Sequence, residues 1–536
     1  MKKEIFMGDE AVAMGAIHAG IRSACGYPGT PSTEIFEYIM RYVENHKAPI
    51  HALWSSNEKV AYEESLGASY AGARSIVTMK HVGLNVAADP FMNSAITGVN
   101  GGMVLAVADD PGMHSSQNEQ DSRYYAHFAY ILCLEPHDQQ EAYNMTREAY
   151  TLSERFEIPV MLRLVTRLAH SRSSVIIKEP LPQSVLPVSD KRSQWVLLPV
   201  NARQRYARLL AVQKEIASYC EESPFNNLEI TENKKIGVIA SGIAYNYIME
   251  YFQEKGEALS VLKIGTYPLP EAKIRKLFES VERVFVLEEG YPFIEEKLRG
   301  ILPHSYNIQG RLDRTLPRDG ELTPELIRLA FGEKPKEHEK LPDIVIPPRP
   351  PALCKGCPHG DLYNALNEAM KSHKDGRVFS DIGCYTLGAL PPYNAITTCV
   401  DMGASISMAK GACDCGVNPS VAVIGDSTFA HSGMTPLLGA VRENSNIKVI
   451  ILDNATVAMT GGQATMCTGE NMDKLILGMG VDPAHYRILS PLPKNLQENT
   501  DIILQEMQYQ GLSVLVCRRE CIQTGKKKIK SKSEKE

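Results

Sequence analysis

The sequence predicts an α/β protein made of three doubly wound domains, and three observations carry that reading. Short β-branched runs alternate with helical stretches, which implies parallel sheets covered by helices. At about 150 residues per domain, a chain of 536 residues is too long for one core. Proline-rich stretches fall where the alternation lapses, as connectors do.

The first block, residues 1–180, contains the strand candidates Ser75–Thr78 and Met103–Val107 and a helical stretch from Glu58 to Gly72. A dense turn signal, Gly26-Tyr-Pro-Gly-Thr-Pro31, follows a helix,. Pro180, Pro182, Pro187 and Pro199, with little periodicity between them, mark a connector. The second block, residues 200–332, has strand candidates at Lys234–Ala240, Val261–Ile264 and Val284–Leu287. Residues 333–352 read as an extended linker, because six prolines fall between Pro335 and Pro351,. The third block, residues 353–523, carries strand candidates at Val421–Ile424 and Val449–Leu452. Residues 524–536 are lysine-rich and read as a solvated, disordered tail,.

Composition narrows the functional classes. Hydrophobic residues at 44% and charged residues at 22% are those of a globular chain,. No apolar run approaches the roughly 18 residues of a spanning helix, so no membrane role is expected. The net charge of −6 conceals a tail with six lysines against two glutamates. The rest of the chain is therefore more acidic still, which argues against a nucleic-acid partner. The short charged N-terminus lacks an apolar core before a cleavage site, and a cytoplasmic protein is expected. Twelve cysteines in such a chain point to metal or redox chemistry rather than to a disulfide framework,.

The segment richest in chemistry is Gly425-Asp-Ser427, followed after 25 residues by Asp453-Asn454. A buried strand ends before each pair, so two parallel strands present oxygen ligands at their carboxyl ends, where open α/β sheets bind ligands. An aspartate, an asparagine amide and a nearby backbone carbonyl suit Mg²⁺, which takes oxygen ligands completed by phosphate. Gly-Asp and Asp-Asn are also ordinary loop pairs, and spacing alone leaves both readings open.

These pairs resemble the thiamine-diphosphate motif, which begins Gly-Asp-Gly and closes on Asn. Thr460-Gly-Gly-Gln463 resembles the segment that follows it in 2-oxoacid:ferredoxin oxidoreductases. Gly8–Ala13, Gly26–Ser32, Thr78-Met-Lys-His-Val-Gly-Leu-Asn85, Asp109–Gln120 and Asp381-Ile-Gly-Cys-Tyr-Thr-Leu-Gly388 resemble the large (alpha) subunit of indolepyruvate ferredoxin oxidoreductases over nearly all of residues 1–523. The resemblance implies that the three domains are a pyrimidine-binding thiamine-diphosphate module, a transketolase-C-terminal-like module and a diphosphate-binding module.

Carried over residue by residue, it implies that Asp426, Asn454 and the backbone carbonyl of Thr456 hold Mg²⁺ against the diphosphate, with Gly425, Ser427, Thr460, Gly461, Cys357 and His359 around the cofactor. Ser427 stands where many thiamine enzymes have a glycine. Glu58 matches the glutamate that bonds the aminopyrimidine; a glutamate at a helix start is also a routine capping choice. Thr30 and Arg123 match positions that contact the substrate carboxylate, Arg123 having a surface ion pair as its alternative. His81 is an acid–base candidate or a structural histidine. Cys354, Cys357 and Cys384 match ligands of a possible [4Fe–4S] cluster, which needs four thiolates. Cys467 and Cys521 are candidates for the fourth, and two reduced cysteines are the alternative.

The function so implied is oxidative decarboxylation of an aryl 2-oxo acid such as indolepyruvate to its acyl-coenzyme A, with electrons passed to ferredoxin. The expected partners are a smaller beta subunit, a ferredoxin or another iron–sulfur protein, coenzyme A, and a second copy of this chain, since the cofactor-binding halves of the superfamily meet across subunits. Relatives usually continue past the position of Cys521 into a ferredoxin-like domain with tandem cysteine motifs, where this sequence ends in lysines. Two other readings use the same residues: a non-oxidative thiamine-dependent decarboxylase or lyase, and a non-catalytic assembly subunit.

Overall fold

The computed structural model describes residues 2–183, 185–187, 192–256, 258–302, 306–335 and 351–533. Most of the proline-rich stretch expected as a linker, residues 336–350, lies outside the described residues. The chain divides into two compact units, Met1–Leu341 and Pro342–Glu536.

The first unit is built on a seven-stranded sheet. Its strands lie in the order Thr266–Tyr267, Cys133–Leu134, Val160–Val165, Met103–Asp109, Ser75–Lys80, Ser23–Gly26 and His51–Trp54. All neighbours are parallel except the outermost pair. Ser75–Lys80 and Met103–Asp109 are buried along their whole length, as expected of strands covered on both faces. Each large apolar side chain so buried contributes about 1.5–3 kcal/mol. From Ser23–Gly26 the chain passes to one side, to His51–Trp54, and then returns to the other, to Ser75–Lys80. A crevice therefore opens between Ser23–Gly26 and Ser75–Lys80 at their carboxyl ends.

A five-stranded sheet in the same unit has the order Asn307–Gln309, Arg283–Leu287, Ile236–Ser241, Ser260–Ile264 and Asn227–Glu229. The connector read from the prolines ends in the helix Pro199–Glu222, with Pro199 in its first turn, where a missing N–H is harmless. Arg205 of that helix donates to Thr97 O (2.7 Å), and Thr266–Tyr267 pairs with Cys133–Leu134. The first two sequence blocks are therefore one packed body.

The second unit holds a six-stranded parallel sheet in the order Thr398–Cys399, Arg377–Ser380, Ser420–Gly425, Ile447–Asp453, Ser513–Arg518 and Tyr486–Leu489. Ser420–Gly425 and Ile447–Asp453 pair in register, Gly425 opposite Leu452. The basic end, expected as a disordered tail, is helical over Ile522–Ser533; lysine is a good helix former. No helix among the described residues is long and apolar enough to cross a membrane.

Candidate active site

The pairing of Ser420–Gly425 with Ile447–Asp453, Gly425 opposite Leu452, brings Asp426 and Asn454 to the carboxyl ends of adjacent strands. Asp426 is 2% exposed. Its Oδ2 accepts from Ala455 N (2.8 Å), and its Oδ1 from Ser427 N (2.6 Å) and the Ser427 hydroxyl (3.3 Å). All these donors are neutral. Burial, reinforced by Asp453, pushes the Asp426 carboxyl up to about 7. Asp453 is engaged elsewhere, its carboxylate accepting from Arg518 Nε (2.7 Å) and Gly469 N (2.9 Å).

Asn454 is oriented from both sides. Its Nδ2 donates to His359 Nε2 (3.1 Å), and its Oδ1 accepts from Thr456 N (3.1 Å). His359 is 3% exposed, and burial pulls it down to about 4. The ring is therefore neutral and can accept from Asn454, which fixes the amide with its oxygen on the Thr456 side. Ala455 adopts a left-handed φ of 62°, which folds the turn so that Thr456 follows Asn454 into the site. Gly425 leaves room for Tyr385, since a Cβ there would lie 2.6 Å from the Tyr385 ring. A carboxylate, an amide oxygen and a backbone carbonyl make an all-oxygen donor set that suits Mg²⁺. Thr460 and Gly461 lie in a partly exposed loop closed on itself, Thr460 Oγ1 donating to Gln463 Oε1 (2.6 Å).

Four free cysteines border one cavity of about 90 Å³: Cys354, Cys357, Cys384 and Cys521. Gly356, at φ 79°, lets the Cys354–Cys357 turn close, with Cys357 N donating to Cys354 O (2.9 Å). Cys384 opens a short helix after Gly383. Cys521 is brought in by the chain leaving Ser513–Arg518, its N–H donating to Asn454 O (3.1 Å). Cys467 is instead buried among core side chains and is absent from the lining of this cavity. Burial pushes the Cys384 thiol up to about 12 and the Cys357 thiol upward. Four thiols around one cavity suit a thiophilic metal centre, which deprotonates its own ligands.

In the first unit the crevice gathers Glu58, Lys80, His81 and Thr30. Glu58 starts the helix Glu58–Tyr70, whose N-cap Asn57 accepts from Val60 N (2.9 Å). The Glu58 carboxyl lies against Gly83, where a Cβ would stand 2.7 Å from Oε1. His81 is 1% exposed, with Nε2 bonded to Asn118 O (3.2 Å) and Nδ1 without a hydrogen-bond partner among the described residues. The Thr30 carbonyl accepts from Ser115 Oγ (3.1 Å).

Arg123 is neither exposed nor free. It is 1% exposed and donates to both oxygens of Asp121, to the Glu289 carbonyl (3.1 Å) and to the Tyr291 carbonyl (3.0 Å). Glu288 sits 2.9 Å from Nη1. Burial works against its charge, but Asp121, Tyr267, Glu135 and Glu288 outweigh it and hold the guanidinium well above its ordinary range. Every arm of the side chain is engaged in a buried ion cluster, so the surface ion pair is not what Arg123 makes; its contact with the substrate carboxylate stays an expectation. Lys80 is the crevice residue that sequence reasoning passed over; its motif is plain, but its burial follows only from the strand pairing.

The chain matches two family models. Residues 14–233 match the thiamine-diphosphate-binding domain of pyruvate flavodoxin/ferredoxin oxidoreductases. Residues 381–515 match the C-terminal thiamine-pyrophosphate-binding domain of thiamine pyrophosphate enzymes. Among similar proteins, indolepyruvate oxidoreductase subunit IorA of Pyrococcus horikoshii is 36% identical over 97% of this chain and 86% of its own length. The subunit of the same name from Methanothermobacter thermautotrophicus is 36% identical with 97% and 87% covered. The 2-oxoglutarate synthase subunit KorA of Archaeoglobus fulgidus is 25% identical over 54% of this chain and 88% of its own. A solved structure of 2-oxoglutarate:ferredoxin oxidoreductase from Magnetococcus marinus shares the fold, with a TM-score of 0.51, 17% identity, and 62% of this chain and 65% of that one covered.

Proposed function

The chain belongs to the family of indolepyruvate oxidoreductase IorA subunits, and from that membership we propose that it oxidatively decarboxylates an aryl 2-oxo acid such as indolepyruvate to its acyl-coenzyme A, passing electrons to ferredoxin. As a family member it is the alpha subunit of a thiamine-diphosphate-dependent 2-oxoacid oxidoreductase. The observation that supports the chemistry is the parallel pairing that brings Asp426 and Asn454 to the carboxyl ends of adjacent strands.

Thiamine diphosphate, when bound, supplies the carbon nucleophile and the electron sink that a 2-oxo acid needs to lose carbon dioxide. Asp426, Asn454 and the Thr456 carbonyl would hold Mg²⁺ against the diphosphate. Neutral His359 would accept from the Asn454 nitrogen and so leave the second lone pair of the Asn454 oxygen for the metal. Glu58 would set its carboxyl against the aminopyrimidine and share a proton with it. His81 would hold or release a proton at Nδ1. Cys354, Cys357, Cys384 and Cys521 would hold a [4Fe–4S] cluster, the donor set being complete for one. A smaller beta subunit, a second copy of this chain and a ferredoxin complete the proposed assembly.

The test is anaerobic purification with metal, sulfide and thiamine analysis, then a product assay. The account expects acyl-coenzyme A from an aryl 2-oxo acid and no turnover by Glu58→Gln. Aldehyde as the product would replace the oxidative reading with a non-oxidative decarboxylase.

A further inference from the structure

Lys80 ends the strand Ser75–Lys80, at the mouth of the crevice. It is 9% exposed. Its stem crosses Gly29 so closely that a Cβ at that position would lie 3.0 Å from Lys80 Cδ and 3.1 Å from Cγ. Its Nζ donates to Ser115 O (3.1 Å), and the hydroxyl of the same serine donates to Thr30 O (3.1 Å), so ammonium and Thr30 share one bridging residue.

Among the described residues Lys80 has no ion pair. Asp110 is the acid whose charge it feels most, but the Asp110 oxygens already accept from Ser115 N (2.8 Å), Ser116 Oγ (2.7 Å) and Thr166 Oγ1 (2.7 Å). An ammonium has three donors, and a backbone carbonyl takes one. Burial pulls the Lys80 amine down to about 8, the mark of a charge without full compensation. His81, one residue on, adds a buried Nδ1 without a hydrogen-bond partner among the described residues.

We propose that Lys80 seats the carboxylate of the 2-oxo acid beside Thr30 and so sets the preference for acids over uncharged keto compounds. An arriving carboxylate supplies the two missing acceptors and the missing countercharge. It is also the group that leaves as carbon dioxide, so the acyl product loses this contact. The inference rests on the reading of the crevice given under Proposed function.

The experiment measures binding of phenylacetate and phenylacetamide to the full chain by calorimetry, in wild type, Lys80→Met and Lys80→Arg. Wild type is expected to bind the acid about tenfold more tightly than the amide, Lys80→Met to bind both alike, and Lys80→Arg to recover part of the preference. In turnover of phenylpyruvate, Lys80→Met should raise KM far more than it lowers kcat. A measurement without any variant covers the case in which Lys80→Met does not fold: amine labelling mapped to Lys80 should be blocked by phenylacetate and not by phenylacetamide. An acid preference that persists in Lys80→Met, or labelling equally blocked by both compounds, overturns the proposal. Thiamine diphosphate binding measured in parallel separates the two failures: its absence from wild type overturns the functional reading, whereas an unchanged acid preference overturns Lys80 alone.

Discussion

Two buried charge sites, one in each unit, differ in how fully they are answered. Around Arg123, Asp121, Glu288 and three backbone or hydroxyl oxygens meet every arm of the guanidinium. Around Asp426, only neutral donors meet a carboxylate that burial has pushed up to about 7. The first arrangement is complete and holds the fold; the second is stable only when neutral or when a cation arrives. Burial alone therefore does not mark a functional charge. What marks it is burial with unfilled coordination, and the contrast can be broken at several points.

The largest effect is expected at the completed cluster. Arg123→Ala should destabilise the first unit by about 3–5 kcal/mol, because it strands buried carboxylates, and chemical denaturation reads that loss. A folded Arg123→Ala protein of normal stability whose defect lies only in KM would assign the residue to the substrate site. Next comes the cation's dependence on pH. Mg²⁺ needs the ionised carboxylate, so its affinity should rise about tenfold per pH unit below about 7 and level off above it, measured by titration from pH 5.5 to 8.5. A flat profile would show that Asp426 is not a ligand.

The same carboxyl bears on stability without metal. Its folded value lies above the ordinary 3.8, so its contribution is fully present below about pH 4 and is lost as pH rises through about 7. Asp426→Ala should remove that slope from the melting curve of the metal-free chain. The smallest effect is expected at Asp9, which is fully buried with both oxygens unpartnered and is held well above its ordinary range by burial, Glu34 and Glu10. Ionised Asp9 disfavours the fold as pH rises, so Asp9→Asn should stabilise the chain at neutral pH by about 1–3 kcal/mol, with little change in acid. Equal melting temperatures at pH 7 would contradict this.

The surroundings of Asp426 are easier to read from the sequence than those of Arg123, for one physical reason. Asp426 and Asn454 each follow a β-branched run, so their placement depends on local periodicity and one strand pairing. Arg123 depends on the Glu289 carbonyl, 166 residues away, and nothing near Arg123 in the chain announces that partner. Cys521 shows the same limit: its approach to the Cys354–Cys357 turn, like the contact of Gln523 with Cys354 across 169 residues, requires the return of the strand Ser513–Arg518. Lys80 shares its motif with His81, and its lack of an ion pair among the described residues appears only once the Asp110 oxygens are seen to accept from Ser115, Ser116 and Thr166. The strands themselves were legible because fully buried parallel strands leave continuous apolar runs.

The Mg²⁺ proposal turns on Asp426 anchoring a metal-bound diphosphate. Its most direct test is calorimetric titration of thiamine diphosphate into the full chain at pH 8, with and without Mg²⁺, in wild type and in Asp426→Ala. Mg²⁺ is expected to tighten binding to wild type by about 100-fold or more and to leave the variant's affinity unchanged. Equal dependence on Mg²⁺ in the two proteins would contradict it.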